Sequence, residues 1–277
     1  MQPGYYPLAS GSKGNCTLFV SGECKLLIDA GISGRAIQEH LQRLGLELSD
    51  IDAILVTHEH GDHIQGLKVL ALRKRIPVFA NSGTAEGIIQ SLRDCPQFTI
   101  FSTGETFAFR DLFIHPYSIQ HDTLDPVGFT LQYGGIKVGF CTDLGFVTTL
   151  VRQRLQGCDY LFVEANHEPG MVHACNRPMT YKQRVLGRTG HLSNAAAGEL
   201  LNDVWHPGLK HVHLAHLSSE CNSPQKALEV VRESLGERGR ELPLSIAYQD
   251  RASRPVLFAG ELAHDRDQGR ELVNEAV

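Results

Sequence analysis

The sequence predicts an α/β fold, and three observations carry that reading. Short apolar runs of strand length recur along the chain, separated by stretches whose apolar residues repeat at helical spacing. A β–α–β order is followed by a later group of runs that reads as antiparallel. Several runs end abruptly in histidines and carboxylates, as strands do where they open onto a site loop.

The elements follow in order. Residues 8–15, rich in glycine and serine, read as a loop, and 17–20 and 25–28 as a hairpin that ends at Asp29. A helix is expected over 34–44, with Ile37, Leu41 and Leu44 on one face. The strand 53–56 leads into a polar cluster, and 64–75 reads as a helix whose terminal Arg73, Lys74 and Arg75 complement its dipole. A strand at 77–80, a helix at 83–92 and strands at 98–101, 105–109 and 111–117 come next. Strands 127–132 and 137–141 precede a helix at 146–155, and strand 160–163 precedes an irregular stretch, 168–189. Helix 195–204 is capped by Ser193 or Asn194. Strand 210–215, helix 224–235 and strand 245–248 complete the pattern. One domain is expected over residues 1–260, followed by a charged tail at 261–277.

The bulk numbers narrow the class. With 277 residues, 42% hydrophobic and 21% charged, the chain can bury a sizeable core and is neither disordered nor fibrous. No apolar run reaches the roughly 20 residues of a membrane span, and the N-terminus lacks a signal-peptide pattern. Seven cysteines without a Cys-x-x-Cys motif fit reduced thiols, so a cytoplasmic protein is expected. A net charge of −5 does not by itself advertise nucleic-acid binding, whereas fourteen histidines fit a metal site.

The chemistry concentrates in Val56-Thr57-His58-Glu59-His60-Gly61-Asp62-His63. His58 and His60 are two apart and share a direction in extended chain. Gly61 lets the chain turn, so Asp62 and His63 face elsewhere, and one segment can hold two ions. Imidazole and carboxylate suit divalent transition metals. The zinc-protease pattern His-Glu-x-x-His is excluded, because the position three after Glu59 is Asp62. Three further strand-end residues are candidates: His121, Asp143 and His216. Asp143 on its own reads first as a helix cap, and only the order of the motifs makes it a ligand candidate.

The order Asp29, His58-x-His60-x-Asp62-His63, His121, Asp143, His216 resembles that of the metallo-β-lactamase superfamily. The resemblance implies a four-layer αβ/βα sandwich and two divalent ions (zinc, manganese or iron). One would be bound by His58, His60 and His121 and the other by Asp62, His63 and His216, with Asp143 bridging them and Asp29 orienting the histidine loop. The stretches Ser10–Asn15, Glu164–His167, Gly190–Asn194 and His216–Asn222 are similar to the YycJ or WalJ branch, related to tRNase Z-like and PhnP-like phosphodiesterases. That branch implies a phosphodiester hydrolase, a 5′-to-3′ exonuclease on double-stranded DNA, that uses a hydroxide between the metals. Asp62 and Asp143 would position the nucleophile, and His191, held by Glu164, would protonate the leaving oxygen. His167 and Asn194 are weaker candidates for the same site. Lys182, Arg184 and Arg188 either contact phosphates or form a solvated basic loop. The alternative reading is a small-molecule hydrolase of the same fold, acting on a cyclic phosphodiester, thioester or lactone.

Overall fold

The computed structural model describes residues 1–258. The expected tail at 261–277 lies outside them. The first half contains β1 (Gly4–Ala9), β2 (Cys16–Val20), β3 (Lys25–Ile28), α1 (Gly34–Arg43), β4 (Ala53–Leu55), α2 (Gly61–Ile64), α3 (Leu67–Leu70), β5 (Val78–Ala80), α4 (Ser82–Leu92) and β6 (Phe98–Ile100). The second half contains β7 (Phe107–Phe109), β8 (Leu112–Ser118), β9 (Val127–Tyr133), β10 (Ile136–Cys141), α5 (Thr149–Leu155), β11 (Tyr160–Glu164), α6 (Pro169–Ala174), α7 (Met179–Leu186), α8 (Asn194–Val204), β12 (His211–Ala215), α9 (Pro224–Leu235), α10 (Arg238–Glu241) and β13 (Leu244–Ile246). The last described strand, β14 (Val256–Leu257), returns to pair with β1.

Two seven-stranded sheets result, ordered β14-β1-β2-β3-β4-β5-β6 and β13-β12-β11-β10-β9-β8-β7. Each is antiparallel on one side and parallel on the other, where helices make the crossovers. The period-2 alternation of strand side chains builds the layers. In β3, Leu26 and Ile28 join the core between the sheets, whereas Leu27 joins the core under the first-half helices. In β11, Phe162 faces the other sheet, and Leu161 and Val163 face the second-half helices. The order is therefore helices, sheet, sheet, helices, the expected αβ/βα sandwich. Edge-to-face aromatics lock the sheets together: the Tyr5 ring lies 5.7 Å from Phe140 and 6.3 Å from Phe162.

The structure departs from the sequence expectations in four places. The loop expected at 8–15 gives up Leu8 and Ala9 to a strand over 4–9: β1 is buried on both faces, and Gly4 and Pro7 interrupt its apolar run. The expected helix at 64–75 is two short pieces. Gly66 breaks it, because the chain folds back there to donate to the Ala30 carbonyl at 2.7 Å, and a Cβ would lie 2.8 Å from the Ile32 oxygen. Arg73, Lys74 and Arg75 therefore lie beyond the helix end, and Arg75 has φ +59°. The expected irregular stretch 168–189 contains α6 and α7; Pro169 opens the first at a position where a missing N–H costs nothing. The helix expected from 146 begins at Thr149, capped by the Thr148 hydroxyl.

Topology brings one set of strand ends to one edge. β3 and β4 are parallel, β1 and β3 both oppose β2, and β8 and β10 both oppose β9. The carboxyl ends of β1, β3 and β4, and of β8, β10, β11 and β12, thus open to the same side of their sheets.

β12 also carries two histidines into the interior. His213 Nδ1 lies 3.1 Å from the Tyr5 hydroxyl, and burial holds His213 down to about 3 and His211 to about 4. Both are neutral when folded and protonate more readily when unfolded, so their contribution is complete above the ordinary imidazole value near 6.5 and falls as pH drops toward 4. His213→Gln removes the His213 share of this dependence and leaves that of His211. Wild type should lose about 2 kcal/mol relative to the variant between pH ~6.5 and pH ~5. Denaturant titrations of both proteins at the two pH values check it.

Candidate metal centre

The convergent edge gathers the polar residues that the sequence singled out. Asp29 follows β3, residues 56–63 follow β4, His121 follows β8, Asp143 follows β10, Glu164 ends β11 and His216 follows β12. Asp29, Asp143 and His216 adopt left-handed backbone, with φ of +60°, +61° and +53°. Such residues are uncommon outside glycine, and each costs of order 1 kcal/mol or more. Here three of them turn strand ends sharply and aim their side chains into one space.

Within the central motif His60 is the N-cap of α2, so Asp62 and His63 lie on helix while His58 and His60 remain on extended chain. Asp29 fixes this loop. One carboxylate oxygen accepts the Thr57 N–H at 2.8 Å, and the other lies 2.8 Å from His63 Nδ1. The Thr57 hydroxyl bonds the same carboxylate and lies 3.0 Å from His58 Nδ1. The outer nitrogens of His58 and His63 are thereby aimed inward, the arrangement in which a second contact orients a ligand.

Two donor groups face each other across Asp143. In one, His58, His60 and His121 bring ligand atoms within 4.8 Å of one another; in the other, Asp62, His63 and His216 do the same. His60 Nδ1 lies 3.2 Å from His121 Nε2. Asp62 Oδ2 lies 3.7 Å from both His63 Nε2 and His216 Nε2. Asp143 lies between them: Oδ2 is 3.3 Å from His63 Nε2, and Oδ1 is 3.8 Å from His121 Nε2 and 3.2 Å from His216 Nδ1. His58 Nε2, His216 Nε2 and Asp143 Oδ2 are buried without a hydrogen-bond partner. Lone pairs left so in a polar interior are the donor set that a divalent cation satisfies, and the residues present fit one.

Glu164 works beside this cluster. It is fully buried, and its Oε2 accepts the backbone N–H groups of Leu144 and Leu192 at 3.0 and 2.9 Å. Its Oε1 lies 2.8 Å from His191 Nδ1 and 2.9 Å from His216 Nδ1. Burial would raise this carboxyl, but His191 and His216 outweigh it and hold it at about 2. Burial likewise opposes charge on His216, yet Asp143, Asp62 and Glu164 carry it up to about 10. His58 goes the other way, pushed well down by burial and then by His63.

A cleft of about 150 Å³ opens onto these groups, lined also by Ser12, Asn166, Tyr181 and Arg184. Arg184, from α7, holds Asp122 with two contacts, at 2.6 and 3.1 Å. The three basic residues of this region separate. Lys182 donates to the His173 carbonyl and Arg188 lies over the Phe146 ring, so Arg184 is the one that faces the cleft. His167 and Asn194 do not line it. They serve the loops behind: the His167 carbonyl accepts the Asn194 N–H at 2.9 Å, and the Asn194 amide pairs with Asn222. Reasoning from motifs gave no individual role to Asn15, Asn166 or Asp122. Asn15 Nδ2 lies 3.0 Å from His63 Nε2, Asn166 donates to the His216 carbonyl at 2.7 Å, and Asp122 Oδ1 lies 3.4 Å from His121 Nε2. Asn15 and Asn166 lie within stretches already singled out and Asp122 follows His121, and that position was the only signal available.

The fold and these donor groups define a class, the divalent-metal hydrolases built on the αβ/βα sandwich. The family model of the β-lactamase superfamily domain matches residues 25–214. The chain is 36% identical to exodeoxyribonuclease YycJ of Bacillus anthracis over 234 residues, 84% of this chain and 89% of that protein. It is 34% identical to exodeoxyribonuclease WalJ of Streptococcus pneumoniae, over 80% of this chain and 84% of that one. Among solved structures, the metallo-β-lactamase fold protein YhfI of Bacillus subtilis superposes with a TM-score of 0.69 at 17% identity, covering 91% of this chain and 99% of that one. The chain belongs to the β-lactamase superfamily, in the family of the YycJ and WalJ proteins.

Two glycines beside the centre should respond oppositely to substitution. A Cβ on Gly31 would lie 1.6 Å from the Asp62 carbonyl oxygen, so Gly31→Ala must push the motif away from Asp29. A Cβ on Gly61 meets nothing within 4 Å, although this glycine sits inside the motif. Elemental analysis of the purified variants should find metal lost from Gly31→Ala and retained in Gly61→Ala, with circular dichroism reporting the fold of each.

Proposed function

We propose that this hydrolase cleaves phosphodiester bonds in DNA, as a 5′-to-3′ exonuclease on duplex substrate that uses two divalent ions. The observation that carries the reading is the pair of donor groups joined at Asp143, with His191 at their edge. His58, His60 and His121 would hold one ion, Asp62, His63 and His216 the other, and Asp143 both. Zinc, manganese and iron all suit this donor set. Ions held in this way supply Lewis-acid polarisation of a phosphoryl group and a water of lowered pKa. The choice of DNA is supported by the two relatives named as exodeoxyribonucleases, which the chain matches over most of their length. Free thiols at all seven cysteines support a reducing, cytoplasmic setting.

The protein's own groups divide the remaining work. Asp62 and Asp143 face the space where a nucleophile would sit and orient it through their carboxylates. Arg184 is the one lysine or arginine among the residues lining the cleft, and its guanidinium meets the charge of the phosphate. His191 is fixed through Nδ1 by Glu164, which leaves Nε2 to carry a proton to the leaving oxygen. Glu164 stays ionised, since its carboxyl is held at about 2, and so keeps its hold on His191 Nδ1 at 2.8 Å.

A general acid matters most when the leaving group is poor. His191→Ala should reduce turnover of duplex DNA by roughly 10²- to 10⁴-fold and that of bis-p-nitrophenyl phosphate far less, because nitrophenolate leaves unaided. His58→Ala and Asp143→Ala should abolish both activities while leaving the fold intact. Steady-state rates with labelled duplex DNA and manganese, with and without chelator, provide the check. Equal losses of His191→Ala on the two substrates would remove His191 from this role. Absence of metal-dependent DNA degradation by wild type would remove DNA.

A further inference from the structure

A second cavity, of about 460 Å³, adjoins the cleft and has no part in the chemistry described above. Two loops form the wall between them. Ser12 lines the cleft while Ser10 and Lys13 line the second cavity; His216 lines the cleft while Leu217, Ser218 and Ser219 line the cavity. The wall is rigid. The Ser10 hydroxyl accepts the His216 N–H at 2.9 Å, and the Ser10 N–H donates to the Tyr248 carbonyl at 2.9 Å. Gly11, at φ +148°, admits the Gln249 amide, whose oxygen would lie 2.5 Å from a Cβ there.

The lining of this cavity is mixed. Leu217, Pro224, Ile246 and the Tyr248 ring supply apolar surface. The Arg251 guanidinium lies over the Tyr248 ring at 3.7 Å from its centroid. Lys13 brings a second cation, and the nearby Glu220 is already engaged by Arg177. Asp250 is the acidic residue of the lining, 3.5 Å from Arg251. A guanidinium plane stacked on an aromatic ring, a second cation and a volume in the small-ligand range describe a site for a flat ring joined to an anion.

The geometry points to this cavity as the subsite for the nucleotide next to the scissile phosphate, a deepening that rests on the proposed action on DNA. The nucleotide's base stacks on the Arg251 guanidinium, which the Tyr248 ring backs, and its phosphate faces Lys13. The subsite does not read sequence. Asn222 donates to the Ala165 carbonyl and to Asn194 and accepts from Asn194 and the Ser223 N–H. Gln249 accepts the Lys13 N–H and donates to the Gly14 carbonyl. The two amides that could distinguish bases are thus occupied by the protein, and stacking and charge remain.

The test uses the metal-loaded full chain and two variants outside the catalytic centre, Tyr248→Ala and Lys13→Gln. Deoxynucleoside 5′-monophosphates are titrated as inhibitors of bis-p-nitrophenyl phosphate turnover, and KM is measured on duplex DNA. The expected result is inhibition of wild type by all four monophosphates to within a few-fold. Tyr248→Ala should weaken it by roughly 5- to 150-fold, the span of one base stack, and Lys13→Gln should also weaken it. Turnover of the nitrophenyl ester without inhibitor should stay within twofold in both variants. On DNA the loss should appear in KM and not in kcat. Inhibition that is unchanged in both variants overturns the subsite, as does a strong preference for one base. The monophosphate titration does not require DNA cleavage, so a wild type that inhibits as expected yet leaves DNA intact would refute the DNA reading and retain the cavity as a nucleotide site.

Discussion

Buried negative charge is the constraint on which this structure depends. Asp29, Asp143 and Glu164 are almost completely withdrawn from solvent, and Asp62 lies beside them. Carboxylates in such a place are costly unless paired with positive charge. The surrounding histidines respond to that demand. His63 and His216 are driven well above the ordinary imidazole value against the opposing effect of burial, so the cluster draws protons onto them when only protein groups are available. Divalent cations meet the same demand more completely and displace those protons. The metal chemistry and the architecture thus answer one electrostatic problem.

The two halves of the sandwich contribute unequally to it. The first half supplies a compact segment, His58 to His63, braced from behind by Asp29 and Thr57. The second half supplies separated residues, one from each strand end: His121, Asp143, Glu164, His216. They become neighbours because β12, β11 and β10 are adjacent and parallel, and β8, across the single antiparallel strand β9, runs the same way. The sheet-to-sheet contacts of Tyr5, Phe140 and Phe162 hold the halves in register, so packing remote from the chemistry sets distances within it.

Much of this was legible in the sequence because each strand-end residue follows an apolar run that can be recognised locally. The motif around His58 combines spacing, a glycine turn and a preceding strand, three signals that agree. The departures have physical reasons. Helix periodicity ran on through 64–75, yet Gly66 folds against Ala30, a tertiary contact that no local pattern encodes. The short helices α6 and α7 were hidden because Pro169, Gly170 and Pro178 read as breakers, although Pro169 serves as a helix start. Arg184 could not be told from Lys182 and Arg188 until α7 gave each a direction. Asn15 reaches His63 only through the close approach of Gly31 to Asp62.

The central claim is that one carboxylate, Asp143, joins two ions in a single site. Electron paramagnetic resonance of the manganese-loaded protein tests it directly. Two ions roughly 3.5–4 Å apart couple magnetically, and the account expects that coupled spectrum in wild type and its loss in Asp143→Asn. A six-line spectrum of isolated manganese in fully loaded, active wild type would contradict it.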